Sequence, residues 1–346
     1  MGAGICGEES EIKKNRRYRE SSFKRNNKNE NICEFNNIKN DKCEFEKKND
    51  LKNFENEFTD TNADRIFQGF ENIGNSCYMN SYIQILLHCP DFLKYLKKEE
   101  NSKNNNYLVY NLIKISEIYN KNYLKQIRKI MEKNYGDFQE NKQCDSQDFG
   151  NKLIDSIINE IKNQNDCSSI SSRISMTKYY DKYIKSEIFM EKLFVLVENK
   201  ISFKNYSNNI FNFSYDIHLS IPNNKKSIYK LEELLYEKYT NIKIIKFPKI
   251  LIITINRSIL NMEYNTKDIK YPYNLNMKKY SNNDKKIWYE LFALNIKKGN
   301  SEDHGHYFCY IKINDIWYLF DDNRVIRQKP ENTLGKIVGF FYQRKN

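Results

Sequence analysis

The apolar residues of this chain change their period part-way along it, and that change constrains the fold more than any other feature. In residues 107–133, Leu108, Leu112, Ile115 and Ile118 recur at three- and four-residue spacing, and in 145–163 Phe149, Leu153, Ile157 and Ile161 recur every four. Both patterns predict helices with one apolar face. A third helix is predicted over 76–98 (SCYMNSYIQILLHCPDFLKYLKK), broken at Pro90. From about residue 190 short β-rich runs take over: 193–197, 215–221, 249–255, 289–296, 307–313 and 316–320, with a short helix expected over 228–239. Helices followed by strands predict an α+β domain, a helical lobe set against an antiparallel sheet. Tyr (26) and Phe (21) are abundant enough that the core should lean on aromatic area.

Residues 1–62 stand apart. They are rich in Asn, Lys and Glu, and Phe23, Ile32, Phe35, Phe45 and Phe54 follow no sustained period. Such a stretch cannot bury enough surface to offset the entropy of ordering, so a disordered tail is expected. It begins Met1-Gly2-Ala3-Gly4-Ile5-Cys6. Gly2 followed by small residues is similar to an N-myristoylation signal, and Cys6 could carry a second acyl group. The usual Ser/Thr at position 6 is missing, and an ordinary unmodified start is the alternative. Acylation would give a lipid-anchored membrane fraction.

The net charge is +12, and none of it arises in the tail, where residues 1–60 hold 13 Lys+Arg against 13 Asp+Glu. A basic domain suits nucleic acid or an anionic membrane. A Lys/Asn/Ile/Tyr bias spread along the chain accounts for the charge equally, and no basic block accompanies a DNA- or RNA-binding motif, so nucleic acid is not expected as a partner. The eight cysteines are irregularly spaced without a CxxC, and no apolar leader or membrane-length run is seen. Free thiols in a reducing compartment, cytoplasmic or nuclear, are expected.

Two blocks carry reactive groups. Gly69-Phe70-Glu71-Asn72-Ile73-Gly74-Asn75-Ser76-Cys77 is a Gly/Asn-rich turn running into a helix, with the cysteine at the helix start and Asn75 or Ser76 available as cap. Unpaired N–H groups and the positive end of the helix dipole favour a thiolate there and can hold a developing oxyanion. A cysteine at a helix start is nonetheless often only a packed thiol. The second block is Gly305-His306-Tyr307, followed by Trp317-Tyr318-Leu319-Phe320-Asp321-Asp322. Antiparallel pairing of two such strands can bring His306 to Asp321, and a thiol nucleophile needs both a base and a group to orient it. Of the other histidines, His88 falls in an apolar helix as a packing residue, His218 lies within a strand, and His304 shares the loop before His306.

With these residues together, the chain resembles the ubiquitin-specific protease family, a papain-like class of deubiquitinases. Its Cys box, G-[LFV]-x-N-x-G-N-[TS]-C-Y-M-N-S, stands here as GFENIGNSCYMNS, and its His box as GHYFCYIKINDIWYLFDDNRV. QCDSQDF (143–149) is similar to Q-x-D-A-x-E-F, and FPKILIITINR (247–257), IKYPYNLNM (269–277) and VGFFYQR (338–344) follow in family order. The resemblance covers residues 66–344 and implies a helical thumb (about 66–170) with a β palm and fingers (about 171–346). By it, Cys77 is the nucleophile, His306 the general base, Asp321 its orienting group, Asp322 a supporting residue and Asn72 the oxyanion donor. His304 is then a loop residue near the cleft.

The resemblance further implies ubiquitin and ubiquitinated proteins as partners. Asp145 and Asp148, one turn apart on a helix, would pair with tail arginines, Gln147 would bond the tail backbone, and Tyr307 would pack over a diglycine channel. A solvated helix start is the plainer account of the two acids. No Cys lies between 167 and 309, so the fingers are expected to form without the four-thiolate zinc site of many members, and no metal or cofactor is implied. Ser76 and Asp148 stand where the family usually has Thr and Glu. A non-catalytic ubiquitin-binding scaffold and a protease for another ubiquitin-like modifier are the alternatives.

Overall fold

The computed structural model describes residues 67–89, 91–98, 107–164, 189–200, 210–259, 264–282, 286–299, 301, 304–330 and 335–345. The tail, with Gly2 and Cys6, lies outside them, as does 165–188, where the thumb was expected to end. The described residues form an α+β domain in which most of the helices precede the main sheet.

The helical half contains α1 (Cys77–Leu87), α2 (Phe92–Lys98), α3 (Leu108–Glu117), α4 (Lys121–Tyr135) and α5 (Ser146–Gln164). All eleven residues of α1 are buried, which makes it the central element rather than an amphipathic surface helix. It packs on α5 and on the main sheet. The single helix expected over 107–133 is two. Ile118 takes an extended conformation and is 74% exposed, off the apolar face on which its spacing set it. Asn120 then caps α4 by accepting from Asn122 N at 2.9 Å, and that local bond ends one helix and begins the next. Gly136, at φ 70, closes α4 in the left-handed conformation.

The second half begins with the short helix α6 (Phe189–Phe194) and β1 (Leu196–Lys200), so the strand expected at 193–197 starts later. It continues through β2 (Ile210–Ser214), β3 (Asp216–Ser220), β4 (Ile228–Lys230), α7 (Leu231–Lys238), β5 (Ile242–Lys246), β6 (Ile250–Asn256), β7 (Asp268–Lys270) and β8 (Asn274–Asn276). The last strands are β9 (Trp288–Lys298), β10 (His306–Ile313), β11 (Ile316–Asp321), β12 (Arg324–Arg327) and β13 (Lys336–Arg344). The main sheet runs β12-β11-β10-β9-β13-β6-β3, with β8 also on β9. Its pairs are antiparallel except β3 with β6. That parallel pair departs from the expected all-antiparallel sheet: the chain leaves β3, crosses through α7 and β5, and returns in β6 along the same direction. A separate antiparallel sheet, β2-β1-β5, stands where β fingers were expected. The helix expected from 228 begins at 231, because Ile228–Lys230 pair in parallel with β7.

The core on one face of the main sheet is strongly aromatic, with Tyr229, Tyr239, Tyr289, Phe308, Tyr310, Phe340 and Tyr342 all buried. β10 and β11 form a hairpin through Asn314 and Asp315, both at positive φ (49° and 63°). A two-residue turn of that kind matches strand twist and sets the register that places His306 and Asp321 at the same end.

Candidate active site

The turn before α1 is built from backbone strain and side-chain hydrogen bonds. Gly74 (φ 93) and Asn75 (φ 46) are both left-handed. This turns the carbonyls of Ile73 and Gly74 onto Arg128 of α4, whose two terminal nitrogens donate at 3.0 and 2.7 Å. Asn72 Oδ1 accepts from Gly74 N (3.2 Å), Ser76 N (3.1 Å) and Ser76 Oγ (3.3 Å). Ser76 Oγ in turn accepts from Ile73 N at 2.9 Å. The hydroxyl therefore serves the turn, and Ser76, expected with Asn75 as an available cap, makes no side-chain cap to α1. Cys77 opens the helix, buried at 4% exposure.

The palm side supplies the other groups. His306 Nε2 meets Asp321 Oδ1 at 2.5 Å. The Asp321 carboxylate, by that hydrogen bond, and then the Cys77 thiol raise the His306 imidazole from the ordinary 6.5 to about 10, against a smaller opposing effect of burial. Asp321 is lowered in turn, first by its bond to His306. With Nε2 committed to Asp321, Nδ1 is the ring nitrogen left for Cys77. Asp322, at φ 49, turns its carboxylate the other way. Its oxygens accept from Asn72 Nδ2 (3.0 Å) and Asn80 Nδ2 (2.8 Å), while its carbonyl accepts from Phe70 N at 2.8 Å. Gly69 permits this approach: a Cβ there would lie 2.4 Å from the Asp322 carbonyl oxygen. Asp321 and Asp322 thus hold opposite sides of one site, the imidazole and the Asn72 turn.

The acidic pair is arranged differently from a helix face. Asp145 lies just before α5 and caps it, Oδ1 accepting from Gln147 N (2.8 Å) and Asp148 N (2.9 Å). Its other oxygen accepts from Tyr307 OH at 3.2 Å. Asp148, in the first turn, pairs with Lys152 at 2.8 Å. Gln147 Nε2 donates to Asn151 Oδ1 at 3.1 Å. Tyr307 is 2% exposed, and burial raises its hydroxyl well above the ordinary phenol value. His304 is exposed, whereas His88 is buried with its ring on Phe320, 5.0 Å between centroids.

Three residues that hold the site were not singled out from sequence: Arg128, Asn80 and Gln143. Asn80 follows Cys77 by one turn of α1 and also donates to Glu71 O at 3.2 Å. A buried Asn inside an apolar helix was the available signal. Gln143 reaches both polar atoms of the Gly305 backbone.

Proteins of known family are similar to this chain in sequence and in fold. The profile of the family described as ubiquitin carboxyl-terminal hydrolase matches residues 68–341. The Schizosaccharomyces pombe "Probable ubiquitin carboxyl-terminal hydrolase 16" is 23% identical over 80% of this chain and 67% of its own length. Drosophila melanogaster ubiquitin carboxyl-terminal hydrolase Usp2 is 26% identical over 80% of this chain, which spans only 34% of that protein. The solved SAGA DUB module bound to monoubiquitin contains a chain of like fold, with a TM-score of 0.65 at 20% identity over 86% of this chain and 74% of that one. A profile match across most of the chain, on an α+β papain-like fold, places this protein in the ubiquitin carboxyl-terminal hydrolase family.

Proposed function

We propose that this protein is a thiol hydrolase that cleaves the isopeptide or peptide bond after the C-terminal glycine of ubiquitin. The observation that carries the reading is the meeting of Cys77, His306 and Asp321 from three separate elements. In this reading His306 takes the proton of Cys77, and the sulfur attacks the glycine carbonyl carbon. The imidazolium then returns the proton to the leaving amine, and water, deprotonated by the same imidazole, releases ubiquitin from the thioester. Asp321 keeps the ring oriented and its positive form stabilised. One N–H of Asn72 Nδ2 is held by Asp322, and its second is the oxyanion donor, beside the Cys77 backbone N–H.

Ubiquitin as the modifier is supported by family membership and by the monoubiquitin-bound DUB module of like fold. Asp145 and Asp148 are the proposed anchors for tail arginines, Gln147 a contact for the tail backbone and Tyr307 a wall of the diglycine channel. Asp148, half exposed beside Lys152, would exchange that partner for a substrate arginine.

The test is incubation with ubiquitin carrying a C-terminal thiol-reactive group. The expected result is a covalent adduct in the native protein and none in Cys77→Ala. An adduct only with a ubiquitin-like probe would assign another modifier, and binding without any adduct would mark a non-catalytic scaffold.

A further inference from the structure

The strand that carries His306 has an open end. Pairing of β10 with β9 begins at His306 opposite Lys298, so Gly305 lies one residue beyond the ladder. Its N–H and C=O are both met by a single side chain: Gln143 Oε1 accepts from Gly305 N at 3.3 Å, and Gln143 Nε2 donates to Gly305 O. Two bonds from one planar amide fix both the distance and the tilt of the backbone they hold. The opposite side of Gly305 is closed by β9, since a Cβ would lie 2.8 Å from Lys297 Cε and from the Lys298 carbonyl oxygen. Two residues from Gln143, Asp145 takes the hydroxyl of Tyr307. Both neighbours of His306 are therefore tied to the segment that leads into α5.

We infer that Gln143 is a positioning residue. Its amide stands in for the missing strand partner at the open end of β10 and so fixes where the His306 imidazole meets Cys77 and Asp321. The backbone of a strand end otherwise frays, and a shift of about 1 Å in a reacting group can cost 10²-fold in rate. This inference rests on the Cys77–His306 reading above, and two readouts separate its failure from the failure of that reading.

The first readout is kinetic. In the full chain, Gln143→Met keeps volume and removes both bonds. The expected result is a fall in kcat of about 10- to 100-fold with KM for a ubiquitin substrate within about twofold. The second does not need activity. The chain has four histidines, so NMR titration of the His306 ring can be followed in isolation and assigned with His306→Gln. In Gln143→Met its midpoint is expected to fall by at least about one pH unit, because His306 loses its placement against Asp321. Gln143→Glu keeps size and acceptor but sets a carboxylate against the Gly305 carbonyl. It is the second variant should Gln143→Met not fold, and its readout is kcat, with a fall expected to be at least as large, because the new carboxylate itself favours the charged His306 ring.

An unaltered His306 titration with unaltered kcat would overturn the inference. So would a rise in KM alone, which would make Gln143 a substrate contact. A wild-type protein inactive on ubiquitin, but with His306 still shifted by the substitution, would sink the proposed function and leave the positioning role standing.

Discussion

At His306, hydrogen bonding to Asp321 and Cys77 outweighs the burial that would favour the neutral ring. The imidazolium should therefore persist well above neutral pH. Replacing Asp321 with Asn removes the charged acceptor but keeps the shape. The alkaline limb of kcat/KM should then move down from about 10 toward the ordinary 6.5, and kcat should fall about 10²- to 10⁴-fold. A stopped-assay pH profile of Asp321→Asn checks both, and an unmoved alkaline limb would exclude Asp321 as the orienting group. Stability follows the same pair. The raised His306 value makes its share complete below about pH 6.5 and lost as pH rises through about 10. The lowered Asp321 value makes its share complete above about pH 3.8 and lost as pH falls through the folded value. Since both describe one interaction, the denaturant midpoints of native and Asp321→Asn proteins should differ most from about pH 4 to 6.5 and converge toward pH 10. Cys77, His306, Asp321, Asp322 and Asn72 could be named from sequence because each sits in a distinctive local string. The roles of Arg128, and of Gln143 although it opens the QCDSQDF string, could not be read there, because what they hold is backbone 54 and 162 residues away.

Helix α5 tests propensity against packing. Gly150 lies in its interior, where Ala would ordinarily be better by about 1 kcal/mol. A Cβ there would fall 1.9 Å from Cζ of Tyr82 on α1. Tyr82 cannot readily withdraw, being fully buried with its ring edge-on to Phe341 of β13 at 5.5 Å. Overpacking of this kind costs about 1–3 kcal/mol and at so short a contact belongs at the upper end. Gly150→Ala should thus be destabilising by about 1–2 kcal/mol net in urea unfolding, and a gain in stability would show that the two helices can separate freely. Helices and strands as types were legible from period, but their ends were set by local competition. Asn120 divided one predicted helix into α3 and α4, and Ile228–Lys230 went to β7 instead of α7. The strands Ile210–Ser214 and Ile242–Lys246 were not anticipated, since polar residues interrupt their apolar runs and only pairing with β1 makes them strands.

Across the whole domain, the proposed nucleophile comes from the helical half and its proposed base from the sheet, so the site depends on how firmly the two halves are joined. One contact across the joint is made by Ser146, the first residue of α5, which occupies the position of Ala in the motif it resembles. It is fully buried, donates to Tyr78 O at 3.1 Å and accepts from Asn295 Nδ2 of β9 at 2.6 Å. One hydroxyl thus connects the residue after Cys77, the helix that Asp145 caps, and a strand paired with that of His306. Sequence could place Ser146 in a motif, but its partner lies 149 residues on and belongs to no recognisable string. Ser146→Ala would leave the Asn295 amide buried without its acceptor, a cost of about 1–3 kcal/mol. Asn295→Leu removes the amide itself, and a pair of apolar groups in place of both partners is far less costly than one orphaned group. The double variant should therefore be more stable than the sum of the single changes by about 1 kcal/mol or more. Additivity within about 0.3 kcal/mol would show that the two side chains do not couple. Because the bond spans the two halves, its loss should also lower kcat more than it raises KM, since ubiquitin would still find its surface while Cys77 and His306 met less often in register.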